Sequence, residues 1–179
     1  MEIYDNFLNK KWHEEILDLM GAPNFIWYYG KNITGPPSPD GKSHERGNDI
    51  VGDLDEHGFS HPFFVNHFPP QSDHTAFIMP FLYKIMDKIG ANELLRSRGD
   101  MTVYSAKGFQ HEKHIDFEYP NISTIYYVND SEGNTVGEDW EVEPKANRLA
   151  VYPGNVMHTG HSPMKHKTRI CINSNFRKN

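Results

Sequence analysis

His114-Ile115-Asp116-Phe117-Glu118-Tyr119-Pro120-Asn121-Ile122-Ser123-Thr124-Ile125-Tyr126-Tyr127-Val128-Asn129 reads as two short strands, 114–119 and 123–129, parted by turn residues. In an extended strand alternate side chains share a face. His114 and Asp116 can therefore reach one point while Ile115 turns away. A His-x-Asp pair is a ready chelate. A further histidine from a distant strand, such as His158, would complete two imidazoles and one carboxylate. That is the facial set that leaves coordination positions open on non-haem Fe(II).

Outward from this stretch, the pattern separates helices from strands. Apolar residues at helical spacing over 7–20 and 73–89 predict two packing helices, the first stopped by Gly21 and Pro23. Residues 24–29 and 62–68 read as short strands. From Arg98 onward the chain breaks into short runs at 100–106, 114–119, 123–129, 139–144, 148–152 and 167–176, with turn residues between them. The fold class is therefore mainly β with flanking helices: a double-sheet jelly roll supported by the N-terminal region. A length of 179 residues suits a single domain, with helical support over 1–97 and the jelly-roll core over 98–179. The polar, proline-rich and glycine-rich stretch over 30–60 is long for a compact domain, and it reads as a candidate substrate lid.

Composition bounds the function. The 13% aromatic content argues against a disordered chain. A net charge of −6 gives no global attraction to nucleic acid or to anionic membranes. No segment approaches the ~18 consecutive apolar residues of a membrane span, and residues 1–10 lack the basic start and apolar run of a signal peptide. The expectation is a cytoplasmic protein with no membrane partner and no implied nucleic-acid partner. Cys171 is the only cysteine, so no intrachain disulfide can form. The Gly35 to Gly41-Lys42-Ser43 stretch misses the spacing of a phosphate-binding loop and lacks its strand-to-helix frame.

The chain has 11 histidines. Two His-x-x-His pairs, His111/His114 and His158/His161, raise a closed zinc site as a rival. Residues three apart on a strand face opposite ways, which favours pairing His114 with Asp116. In Arg169-Ile170-Cys171-Ile172-Asn173-Ser174-Asn175-Phe176, the residues Arg169, Cys171, Asn173 and Asn175 share one face of an extended strand. A buried arginine there needs an anionic partner, and its planar fork suits a carboxylate.

His114-Ile115-Asp116, Ile125-Tyr126-Tyr127-Val128-Asn129 followed by Gly133-Asn134-Thr135, Tyr152-Pro153-Gly154-Asn155-Val156-Met157-His158-Thr159-Gly160-His161-Ser162-Pro163, and Arg169 together resemble the 2-oxoglutarate/Fe(II)-dependent dioxygenase family. The resemblance is greatest to its prolyl-4-hydroxylase-like branch and spans roughly residues 98–176. It implies a double-stranded β-helix, with His114, Asp116 and His158 as metal ligands. His158 is preferred to His161 because the family follows its distal histidine with Gly, Pro and, after a short excursion, Arg. Arg169 would clamp the far carboxylate of 2-oxoglutarate, with Tyr126 and Tyr104 as co-substrate partners. Tyr127 competes with Tyr126, since a shift of one residue exchanges their faces.

The implied cofactors are Fe(II), 2-oxoglutarate and O₂, with ascorbate as a candidate reductant. The implied reaction yields succinate and CO₂ while a C–H bond of a primary substrate, peptide, protein or small molecule, is hydroxylated. Neutral imidazoles are needed for binding, so metal affinity should fall below about pH 6.5. Two other readings stand beside this one: a catalytically silent jelly-roll binding module, and a cupin-like Zn²⁺ or Mn²⁺ protein that does not use 2-oxoglutarate.

Overall fold

The computed structural model describes residues 1–30, 57–66 and 72–178. Most of the expected lid over 30–60 lies outside the described residues. Helix α1 spans Lys10–Gly21 and helix α2 spans Thr75–Ile89. The first begins later than its apolar pattern because Asn9 caps it, accepting a hydrogen bond from the Trp12 amide at 2.9 Å. The second ends at Gly90, whose φ of +64° suits a residue without a Cβ.

The strands are β1 (Glu2–Tyr4), β2 (Tyr28–Gly30), β3 (Gly58–Val65), β4 (Glu93–Val103), β5 (Ile122–Tyr127), β6 (Thr135–Val136), β7 (Glu141–Val142), β8 (Arg148–Pro153), β9 (Thr159–Gly160) and β10 (Thr168–Arg177). Seven form one antiparallel sheet in the order β1-β8-β5-β10-β4-β3-β2. A smaller sheet runs β7-β6-β9 and is widened by the bridges Gln110↔His161 and His114↔His158. The architecture is a jelly roll with two helices backing its larger sheet.

Strand alternation divides the interior in two. Tyr126 and Val128 at β5, Leu149 and Val151 of β8, and Ile170, Ile172 and Phe176 of β10 meet Ile16 and Met20 of α1 and Ile78, Phe81, Leu82 and Ile85 of α2. Residues of opposite parity, including Ile125, Tyr127, Ala150, Tyr152 and Cys171, pack with Val142 and Trp140 in a second cluster. The helix-backed face is almost wholly apolar. The opposite face of β4 and β10 is polar, with Arg96, Asp100, Arg169, Asn173 and Asn175 all buried.

Three features depart from the expected elements. The N-terminal region supplies β1, β2 and β3 as well as helices, and β4 runs through the expected boundary at 97/98. These strands extend the large sheet on both sides of its β8-β5-β10 centre. Residues 114–119 do not form a strand: only His114 pairs, because Asp116 turns inward with its amide donating to the Gly154 carbonyl, while residues 118–120 bend at the surface. The expected strand over 139–144 shortens to β7.

Asn147 fastens the N-terminal segment to the sheet. Its side-chain oxygen accepts from the Leu8 amide at 2.8 Å and from the Tyr126 hydroxyl at 3.1 Å, while its amide donates to the Leu8 carbonyl at 2.9 Å. Its backbone φ of +64° is one that asparagine tolerates better than alanine. We expect Asn147→Ala to lower stability by roughly 3 kcal/mol, because buried groups lose partners and the backbone is strained. Asn147→Gly should recover about 1 kcal/mol of that. Urea unfolding followed by tryptophan fluorescence measures both; equal midpoints for the two variants would exclude the backbone contribution.

Candidate metal centre and co-substrate cavity

His114 and His158 face each other across their bridge, each amide donating to the other's carbonyl at 3.0 Å. Their ring centroids are 4.6 Å apart. His114 Nδ1 lies 3.1 Å from the Glu112 carbonyl, and His158 Nδ1 lies 3.0 Å from the Val156 carbonyl. A carbonyl only accepts, so Nδ1 carries the hydrogen in both rings and each Nε2 lone pair is free for a metal. His158 Nε2 is 3.9 Å from Asp116 Oδ2. One ligand atom from each of His114, Asp116 and His158 lies within 4.8 Å of the others.

Asp116 is 3% exposed and fully engaged. Its Oδ1 accepts from Arg96 Nη2 at 2.6 Å, and its Oδ2 accepts from Ser123 Oγ and Asn175 Nδ2, each at 2.8 Å. Burial by itself would raise the carboxyl's pKa. The Arg96 guanidinium, His158 and the hydrogen bonds from Asn175 and Ser123 outweigh it and hold Asp116 far below the ordinary carboxylate range. Gly154 makes the local turn possible: a Cβ there would stand 1.8 Å from Asn121 Oδ1, and its carbonyl accepts from the Asp116 amide at 3.3 Å.

These donors suit a divalent transition metal: two imidazoles whose Nδ1 atoms face carbonyls and one ionised carboxylate whose other contacts orient it. Burial, and next the neighbouring His158, push the His114 imidazole down to about 4, so it is neutral at physiological pH. Among the described residues this is the one cluster of such side chains with ligand atoms in reach of one another.

A cavity enclosing ≈ 440 Å³, part of it open to solvent, adjoins the cluster. His114 and His158 line it on the side of the cluster, and Arg169 lines it together with Thr135, Asn173 and His111. Arg169 is 6% exposed; its Nη2 donates to Thr135 Oγ1 at 2.8 Å, and its guanidinium lies 5.6 Å from the centre of the Tyr127 ring. Among the described residues no carboxylate lies within 4.0 Å of it.

The two expected tyrosine partners are placed differently. Tyr126 points away from the cavity into the helix-backed core, where its hydroxyl meets Asn147 and His13 Nδ1 and its ring packs on Phe81. The face belongs instead to Tyr127, whose hydroxyl lies 2.7 Å from Thr135 Oγ1 beside Arg169. One residue of register separates the two. Tyr104 follows β4 on the parity of Asp100 and Thr102, but it is 53% exposed and outside the cavity lining. His61 is buried between the Ile26 carbonyl and Ser72 Oγ. Arg96 and Ser123 were singled out by no metal or co-substrate motif, and Thr135 stood in the Gly133-Asn134-Thr135 motif without an assigned role. Asn175 was signalled only by its parity with Arg169.

No family model and no curated protein matches the chain. Solved structures do. The crystal structure of a Pseudomonas putida prolyl-4-hydroxylase aligns over 99% of this chain and 92% of its own, at 13% identity and a TM-score of 0.57. The viral collagen prolyl hydroxylase from Paramecium Bursaria Chlorella virus-1, in its 2OG complex, aligns over 99% and 96%, at 12% identity and a TM-score of 0.60. An oxidoreductase of the 2OG-Fe(II) oxygenase family from Burkholderia pseudomallei aligns over 98% and 83%, at 10% identity and a TM-score of 0.64. The chain shares their fold. No described helix is long and apolar enough to cross a membrane.

Two outcomes follow from this geometry. Ser123→Ala removes one of the bonds that orient Asp116 and should weaken Fe(II) or Mn(II) binding about tenfold, as read by anaerobic calorimetry. In the metal-free protein, burial pushes both His111 and His114 down to about 4, whereas an unfolded chain's imidazoles titrate near 6.5. Between those values the unfolded state binds more protons, so this stability is full above about pH 6.5 and is lost as pH falls through about 4. Thermal midpoints of the metal-free protein should decline across that window, with a shallower decline for His111→Phe.

Proposed function

We propose that residues 1–179 act as one Fe(II)- and 2-oxoglutarate-dependent oxygenase domain that hydroxylates a C–H bond of a primary substrate. The observation that carries this reading is the pairing of two features in one cavity. One is a cluster of two imidazoles and a carboxylate with both Nε2 atoms free; the other is a buried arginine with no carboxylate of the described residues against it. His114, Asp116 and His158 would hold the metal. Arg169, steadied by Thr135 and by the Tyr127 ring, would hold the far carboxylate of the co-substrate through charge-assisted hydrogen bonds.

Bound iron supplies O₂ activation coupled to oxidative decarboxylation of 2-oxoglutarate to succinate and CO₂. The chain's own contribution is positioning: two fixed histidine tautomers, a carboxylate kept ionised, and a largely buried setting that limits water. A silent binding module would be favoured by histidines turned apart or by Arg169 paired with an acidic side chain, and the site has neither arrangement.

The primary substrate is drawn from a wide class. One structural neighbour is a Trichoplax adhaerens prolyl hydroxylase in complex with a hypoxia inducible factor peptide fragment, with 13% identity, coverage of 98% and 82%, and a TM-score of 0.59. Another is an epimerase of nogalamycin biosynthesis. A peptide or a small molecule therefore suits this fold, and the fold does not choose between them.

Anaerobic Fe(II) reconstitution with a 2-oxoglutarate titration tests the reading, because a visible metal-to-ligand absorption should require both components. Asp116→Ala should abolish that absorption and lower Fe(II)-dependent succinate release on the order of a hundredfold or more. Undiminished succinate release would sink the ligand assignment. Metal binding with no response to 2-oxoglutarate would instead favour a cupin-like protein.

A further inference from the structure

His111 plays no part in the metal cluster, yet it is 5% exposed and lines the cavity. Among the described residues neither of its ring nitrogens has a hydrogen-bond partner. Leaving a buried polar group unpaired is costly, so such groups in folded proteins are ordinarily completed by a ligand or water. The ring is held by packing, edge-on to Phe109 with centroids 5.0 Å apart. Two other unpartnered atoms, Arg169 Nε and Asn173 Oδ1, belong to residues lining the same space.

The backbone places His111 near the arginine clamp. Its amide donates to the Gly160 carbonyl at 3.0 Å, and its own carbonyl accepts from Thr159 Oγ at 2.6 Å. A Cβ on Gly160 would stand 3.6 Å from Arg169 Nη2, so the strand that anchors His111 also packs against the guanidinium. Arg169 is accordingly the charge that acts most strongly on the imidazole, ahead of His114. Burial keeps the ring neutral, leaving one N–H to donate and one nitrogen to accept.

We propose that His111 is a co-substrate-binding residue, donating a hydrogen bond from its imidazole to the far carboxylate of a 2-oxo dicarboxylate held by Arg169. This rests on the oxygenase reading above. It gives that carboxylate a second recognising side chain, in a place that neither Tyr104 nor Tyr126 fills.

The test compares two ligands on Fe(II)-loaded protein without O₂, read by the visible absorption of the chelate. 2-Oxoglutarate carries the far carboxylate; 2-oxobutanoate has the same chelating end and lacks it. His111→Phe should weaken 2-oxoglutarate about tenfold or more, the loss of one hydrogen bond to a charged group. His111→Gln, which keeps a donor, should restore affinity to within about threefold of wild type. All three proteins should bind 2-oxobutanoate and Fe(II) alike. If His111→Phe does not fold, His111→Leu carries the same expectation. Equal weakening of both ligands would overturn the proposal by placing His111 at the metal end or in the scaffold. Unchanged 2-oxoglutarate affinity would overturn it by leaving the imidazole to water alone. Absence of the absorption in wild type would overturn the oxygenase reading itself, and this proposal with it.

Discussion

The site depends on keeping one carboxylate charged in the interior. Asp116 would be costly to bury alone, and three segments distant in sequence converge to prevent that: Arg96 from β4, Ser123 from β5 and Asn175 from β10. Those strands are neighbours in the large sheet, in the order β5-β10-β4. The hydrogen bonds to Asp116 therefore hold only when the sheet has its native register. Asn175 also accepts from Arg96 Nε at 3.0 Å and donates to Ser123 Oγ at 2.8 Å, so the partners restrain each other as well as the carboxylate. A slip of one residue in β10 would turn Asn175 toward the helices and bring Ser174 or Phe176 to Asp116 in its place.

The same register separates packing from chemistry. On β10 the even-numbered Ile170, Ile172 and Phe176 enter the core under α1 and α2, while Arg169, Cys171 and Asn173 face the cavity. Helix packing can thus stabilise the sheet without intruding on the site. Asn147 links the two sides. Through Tyr126 and Leu8 it ties the helix-backed core to the start of β8, and its amide donates to the Tyr127 carbonyl at 2.9 Å, one residue from Tyr126 and on the other face.

Much of this was legible because a period of two is visible in sequence. The polar parity of Arg169 and Asn175 belongs to that part, whereas His158 was singled out by the family resemblance and not by any period. Residues 114–119 misled because alternation there is imitated by a turn: His114 pairs once, and then Asp116 is drawn inward by partners from other strands. Tyr126 and Tyr127 are adjacent aromatics, so composition could not decide which faced the cavity; only the pairing of Tyr127 with Cys171 and Arg148 does. β1 is three residues long and has no pattern of its own. Its pairing with β8 arises from tertiary contact. Arg96 was equally silent, since a buried arginine and its carboxylate twenty residues away share no local signal.

Charge balance explains why metal and co-substrate would bind as a pair. Around the cavity and cluster stand the guanidinium groups of Arg96, Arg98 and Arg169 and the carboxylates of Asp100 and Asp116. The three guanidinium groups outnumber the two carboxylates, and the imidazole of His114 stays neutral. A divalent cation entering such a setting is opposed by charge unless an anion enters with it. A dianion with one end on the metal and the other at Arg169 supplies that compensation at both ends of the cavity. Each ligand then raises the affinity for the other by the same factor, as linkage requires. The buried salt bridge to Arg96 would contribute to this: it keeps Asp116 ionised while adding a cation that an anionic ligand would balance.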